Sequence, residues 1–118
     1  MTKLKIAVPT KAYEGLEDTV SEVFGKARTF TIVEIENGQA KKVRVIDNPA
    51  ASYDYGAGPV AAKTLADLRV DLVMATELGP GAAGLLKHHG IGTISVKPGT
   101  KVADVIKEDH ARVESEKK

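Results

Sequence analysis

The stretch Asp71-Leu-Val-Met-Ala-Thr-Glu-Leu-Gly-Pro-Gly-Ala-Ala-Gly-Leu-Leu-Lys-His-His-Gly90 decides the fold. Its first five residues are almost wholly apolar, as in a strand covered on both faces, and covering of that kind is typical of parallel sheets. Glycines and Pro80 then break the strand. Pro80 to His89 reads as a helix with proline at its first position and Gly90 at its end. Strand, tight turn and helix make half of a crossover unit. The strand at Ile91-Gly-Thr-Ile-Ser-Val96 completes it, parallel to the first.

The same reading extends outward. Lys5-Ile-Ala-Val-Pro9 is an apolar, β-branched run stopped by proline, a central strand. Thr10 to Thr19 reads as a loop, and Ser21-Glu-Val-Phe-Gly25 as one helical turn with Ser21 as its cap. Thr29 to Glu36 alternates in polarity, although Val33 blurs the period. Asn37-Gly38 is the strongest short hairpin signal, and Lys41 to Asp47 returns. This hairpin should be antiparallel with one wet face. Asn48-Pro49 breaks the chain. After the loop Ala50 to Gly58, Pro59 opens a helix over Val60 to Leu68 with Val60, Ala61, Thr64, Leu65 and Leu68 on one face. Thr100 should cap a last helix that turns Val102, Val105 and Ile106 inward. The order strand, hairpin, then αβαβα implies an α/β fold. Its mixed five-stranded sheet, of ribonuclease H-like three-layer layout, has an antiparallel hairpin strand and helices on both faces. Residues 1–108 form one domain and 109–118 a charged, frayed tail.

Composition narrows the function. The chain has 118 residues, 42% of them hydrophobic but only 4% aromatic, so its core is built from Val, Ile, Leu and Ala. A net charge of +1 disfavours nucleic acid held by charge. No long apolar run spans a membrane, and the N-terminus enters a strand directly, so the expected location is cytoplasmic. There is no cysteine, hence no disulfide, thiol nucleophile or Cys-ligated metal.

Four constellations carry chemistry. Gly79-Pro-Gly-Ala-Ala-Gly84 matches G-x-G-x-x-G between a strand and a helix. A dinucleotide site fails there, because the next strand ends in Val96-Lys97 with no acidic residue and the chain is too short for two nucleotide-binding halves. Two readings stay open: an anion site at the helix N-terminus, or glycines that serve only a tight turn and close packing. Gly56-Ala-Gly-Pro-Val-Ala61 is a second glycine-rich helix start. In an open α/β sheet the ligand edge is the carboxyl end of the strands, which gathers Pro9, Thr10, Glu77, Gly79 and Gly81. The Tyr53-Asp54-Tyr55 loop is a candidate lid or a loop packed on its own scaffold. His88 and His89 are adjacent, not four apart, so they suit the helix C-terminal dipole better than a metal. His110 lies in the polar tail. Carboxylates are too few at the edge for a two-metal nuclease, and Glu77 alone would serve an enzyme as base.

Val20-Ser-Glu-Val-Phe-Gly-Lys-Ala27 with Phe30, Asn48-Pro49, Gly56-Ala-Gly58, and Val70-Asp71 through Leu78-Gly79-Pro80 together resemble the dinitrogenase iron–molybdenum cofactor biosynthesis family. This is the domain shared by NifX, NafY and the NifB C-terminus, and the resemblance covers about residues 4 to 107. It implies a ribonuclease H-like domain that carries a metal–sulfur cluster or its precursor without catalysis, as a small stand-alone member. Many members have histidine before the Phe-Gly pair, where this chain has Val23. An anionic molybdenum/iron–sulfur cluster or a thiomolybdate would then rest on backbone N–H groups and cations such as Lys26 and Arg28. The expected cofactor-binding residues are Pro9, Thr10, Phe24, Gly25, Lys26, Gly56, Gly58, Glu77, Gly79 and Gly81, with no catalytic residue and no metal ligand. The expected partners are a small anionic cofactor and a protein of cofactor assembly, with no nucleic acid and no membrane. The alternative is a protein–protein adaptor whose glycine loops are structural. It would dock along the strand Lys41 to Asp47, although Lys41, Lys42 and Arg44 also guard that edge.

Overall fold

The computed structural model describes residues 3–108, so the expected tail 109–118 and His110 lie outside the described residues. Five strands form one sheet: β1 (Lys3–Thr10), β2 (Thr29–Glu36), β3 (Gln39–Asp47), β4 (Leu72–Ala75) and β5 (Gly92–Ser95). Their spatial order is β3-β2-β1-β4-β5. β1 runs antiparallel to β2 and parallel to β4, and β4 runs parallel to β5. The helices are α1 (Ala57–Asp67), α2 (Pro80–His88) and α3 (Val102–Glu108).

The layers follow from which side chains share a face. Ala7, Phe30, Ile32, Val73 and Ala75 meet Ala61, Ala62 and Leu65 of α1 and Ala82 and Leu86 of α2. Leu4, Ile6, Val8, Val33, Leu72, Met74 and Ile94 point the other way, onto Val20 and onto Val102 and Val105 of α3. The result is a three-layer α/β sandwich with two apolar cores on opposite faces of one sheet.

The Asn37-Gly38 turn forms as read, with φ of 53° and 82° at its two residues, the left-handed pair that a tight hairpin requires. The expected wet face does not. β2 is buried on both sides through most of its length, because α1 covers Phe30 and Ile32 while Val20 and α3 cover Val33 and Ile35. This explains the blurred alternation at Val33. The solvated element is β3, exposed along almost all of its length as the sheet edge.

Three further expectations are corrected. Ser21 to Gly25 is not helical, because its backbone bonds are spent at long range: Ser21 N donates to Pro9 O at 2.8 Å and Gly25 O accepts from Asn48 Nδ2 at 2.9 Å, while Val20 N just before it donates to Thr100 O at 2.9 Å. α1 begins at Ala57, two residues before Pro59, with Gly56 at φ 73° turning the chain into it; Pro59 sits within the first turn, where no N–H is needed. α3 begins at Val102 and not beside Thr100, whose carbonyl is engaged by Val20.

The stretch from Thr10 to Thr19, read as a loop, is ordered around one carboxylate. Asp18 is 4% exposed and accepts from the backbone N–H groups of Thr19 at 2.8 Å, Ala12 at 3.0 Å, Glu14 at 3.3 Å and Lys11 at 3.4 Å. A single 3₁₀ turn at Gly15–Glu17 lies inside this arrangement. The segment is pinned to the start of α3 by Val102 N donating to Asp18 O at 2.9 Å. Lys101 also bonds Glu17 at 3.0 Å, and that hydrogen bond and charge hold its ammonium above the usual lysine range.

Candidate functional site

The parallel pairing of β1 with β4 brings Pro9-Thr10 and Glu77 to Gly79 to the same rim of the sheet. β1 is also where the strand order changes direction, with its hairpin neighbours on one side and the crossover strands on the other. The chain returns to this rim at the starts of α1 and α2. Of the ten residues expected from the sequence, Pro9 and Thr10 end β1, Gly56 and Gly58 start α1, and Glu77, Gly79 and Gly81 lie where β4 passes into α2, while Gly25 joins Phe24 and Lys26 to them by packing on Gly58.

Packing sorts them into two tiers. Thr10 and Phe24 are turned inward. Thr10 continues the Ile6–Val8 face of β1 and is fully buried, its hydroxyl bonded to Thr29 at 2.6 Å and Thr31 at 3.0 Å. The Thr29 hydroxyl in turn donates to Ala12 O. Phe24 is 2% exposed with its ring 5.3 Å from that of Phe30. Pro9 is buried in the strand, its carbonyl taken by Ser21.

Gly25, Gly58 and Gly81 are points of close approach. A Cβ on Gly25 would stand 2.7 Å from the nitrogen of Gly58 and 2.9 Å from the Ala57 carbonyl carbon. One on Gly58 would stand 3.3 Å from the Ala82 Cβ, and one on Gly81 would stand 2.9 Å from the Pro59 ring. These glycines let the Phe24-Gly25 bend press on the first turn of α1, and let the first turns of α1 and α2 press on each other. Here the packing reading of the glycines holds.

The outer tier is open. Gly56 and Gly79 are exposed, with no heavy atom within 4 Å of a built Cβ. Glu77 and Lys26 are exposed, and the Lys26 ammonium donates to the Tyr53 carbonyl in the loop before α1. Both helices start on glycine, with no side-chain cap and no acidic residue in the first turn. In α1, Pro59 has no N–H and Val60 N bonds Gly56 O, which leaves the Ala57 and Gly58 amides without an intrahelical acceptor. In α2, Pro80 has none and Ala83 N bonds Gly79 O, which leaves Gly81 and Ala82. Two positive helix ends thus lie side by side.

Sequence reasoning assigned no contact to Asn48, which holds this arrangement. It is 5% exposed, donates to Gly25 O and Ala27 O at 2.9 Å each, and accepts from Ala50 N at 3.0 Å. Its position just after a strand and before a proline was the available signal. Val23, Tyr53 and Tyr55 are 48%, 44% and 91% exposed on the loops of this rim. Tyr13 is also exposed there, its hydroxyl bonded to Asp47 and its ring 5.5 Å from the Arg28 guanidinium.

The donor set is specific in what it lacks. Among the described residues no group of three or more His, Cys, Asp or Glu is arranged for a metal. His88 and His89 stack edge to face at the end of α2, 5.3 Å apart and away from the rim. What the rim does present is hydrogen-bond donors and positive helix ends, the chemistry by which helix starts hold anions.

A family model described as dinitrogenase iron-molybdenum cofactor matches residues 2–111. An uncharacterised protein of Methanocaldococcus jannaschii is 34% identical over 88 residues, 75% of this chain and 70% of that protein. The apo form of the orange protein from Desulfovibrio gigas superposes with a TM-score of 0.80 at 27% identity, over 92% of this chain and 88% of that one. A Thermotoga protein named as a NifB candidate gives a TM-score of 0.71 at 26% identity, over 92% and 88% of the two chains. No helix among the described residues is long and apolar enough to cross a membrane.

Proposed function

The chain belongs to the dinitrogenase iron–molybdenum cofactor family, and on that premise we propose that it is a non-enzymatic carrier whose cargo is a preassembled anionic metal–sulfur cluster or a thiomolybdate. The cargo would sit on the rim bordered by Pro9, Thr10, Phe24, Gly25, Lys26, Gly56, Gly58, Glu77, Gly79 and Gly81. One observation carries the reading: two glycine-started, uncapped helices meet at the edge where the strand order reverses. Within the ten, the inner residues Pro9, Thr10, Phe24, Gly25, Gly58 and Gly81 set the shape. Gly56, Gly79 and the Lys26 ammonium face the cargo, and Glu77 bounds it. Sulfides on the cluster would accept from the amides, so no protein thiolate is needed.

Anaerobic titration with tetrathiomolybdate, followed by amide NMR shifts, tests this. The expected result is shifts concentrated on residues 25–26, 56–58 and 79–82, together with weaker binding by Lys26→Glu. Shifts scattered elsewhere, or none at millimolar ligand, would overturn it. The exposed Val23, Tyr53 and Tyr55 favour one addition, a protein of cofactor assembly that meets the same rim to receive the cargo.

A further inference from the structure

The two edges of the sheet are managed differently. β3 carries Lys41, Lys42 and Arg44, and its pairing with β2 slips at Glu34/Ile35, so that both charge and irregularity discourage another strand. β5 reads Gly92-Thr93-Ile94-Ser95, with no charge, proline or bulge. Among the described residues it pairs only with β4. Gly92 N bonds Asp71 O and Val96 N bonds Ala75 O, so residues 92, 94 and 96 face β4. By alternation, the N–H and C=O groups of Thr93 and Ser95 point outward. Clefts flank this edge at both ends. One of about 750 Å³ is lined by Ala83, Lys87 and Gly90 to Thr93, and another of about 520 Å³ by Ser95 to Pro98 and Glu108.

We propose that β5 is a self-association edge, where two copies of this chain pair β5 with β5 antiparallel across a two-fold axis at Ile94. The register makes a second copy the fitting occupant. A two-fold at Ile94 sets Thr93 against Ser95 of the partner subunit, and Ser95 against Thr93 of the partner subunit. All four residues present outward groups, so both pairs exchange two hydrogen bonds. Ile94 meets its own copy as the non-bonded pair and keeps its side chain in the α3-side core. The edge has no charge to repel its copy, whereas β3 paired with itself would bring six cations together. The same operation joins two five-stranded sheets into one of ten strands and leaves the glycine rim outside the contact. A strand pair this short lies below the roughly 1,200 Å² of stable complexes, so association is weak and rises with concentration.

Sedimentation velocity from about 10 µM to 1 mM, paired with amide hydrogen exchange, tests this. The chain mass is 12.5 kDa, so the weight-average mass should climb from 12.5 towards 25 kDa (2 × 12.5). Exchange at Thr93 and Ser95 should slow over the same range. The pair Thr93→Lys with Ser95→Lys places like charges opposite each other at exposed positions and should weaken the dimer roughly tenfold. Thr93→Lys with Ser95→Glu should restore it, since opposite charges then face across the axis. A mass of 12.5 kDa throughout would overturn the proposal, as would a dimer indifferent to the double lysine variant. Concentration-independent protection of Thr93 and Ser95 in a monomer would overturn it too.

Discussion

Gly25→Ala is a one-methyl test of the rim. The added carbon would stand 2.7 Å from a backbone nitrogen and 2.9 Å from two backbone carbons of α1, distances that real Cβ atoms essentially never show. Neither partner can swing aside, because the Phe24-Gly25 bend is tied by Asn48 to Gly25 O and Ala27 O, and α1 is held by Ala61, Ala62 and Leu65 in the core. Forced overpacking of this kind costs about 1–3 kcal/mol, and the upper half of that range is expected here because backbone must move on both sides. For a chain of 118 residues that corresponds to a fall in Tm of about 4 °C per kcal/mol. Gly79→Ala is the internal control: φ is −68° and the space around it is open, so a change of less than about 0.5 kcal/mol is expected. Gly56→Ala falls between, at about 1 kcal/mol, because the space is free but φ is 73°. Urea unfolding of the three variants by circular dichroism measures the order. If Gly25→Ala is as stable as Gly79→Ala, the close approach is wrong and with it the two-tier account of the rim.

Other substitutions probe the supports. Asn48→Ala strands two buried carbonyls and the Ala50 amide, and should cost about 2–4 kcal/mol in the same assay while broadening the amide signals of residues 25–27. Asp18→Asn replaces a carboxylate oxygen that accepts backbone amides by an NH₂ group that cannot; a loss of about 2–3 kcal/mol and faster hydrogen exchange at Ala12 and Thr19 are expected. Thr10→Val keeps the shape but leaves the Thr29 and Thr31 hydroxyls short of a partner, costing about 1–2 kcal/mol, and thermal melts should show no loss in a Thr10→Ser control larger than that of Thr10→Val.

The elements that could be read from the chain are those whose signal is local. The apolar run before Gly79, the Asn37-Gly38 turn and the Pro80 start all fix φ/ψ or burial within a few residues, and all appear where expected. Pattern failed where a backbone group finds its partner far along the chain. Ser21 to Gly25 has the residues of a helical turn, but its Ser21 N–H goes to Pro9 O and its Gly25 carbonyl accepts from Asn48. β2 lost its alternation because a second core lies behind it. Asp18 and Asn48 have no periodic signature, since each bonds amides or carbonyls brought near only by the finished fold. Within the rim the glycines stood out, but which of them are consumed by contact and which remain open depends on how closely α1 and α2 approach.

The contact of Gly25 with the α1 backbone has a consequence for how such a protein diversifies. Where main chain touches main chain, no side chain can be installed, so Gly25 offers evolution nothing to vary. Novelty at this rim must enter through Val23, Lys26, Tyr53, Tyr55, Gly56 and Gly79, where space or solvent allows a new group. A descendant can thus exchange what it recognises by altering a handful of outward positions, while the frame beneath them stays the same.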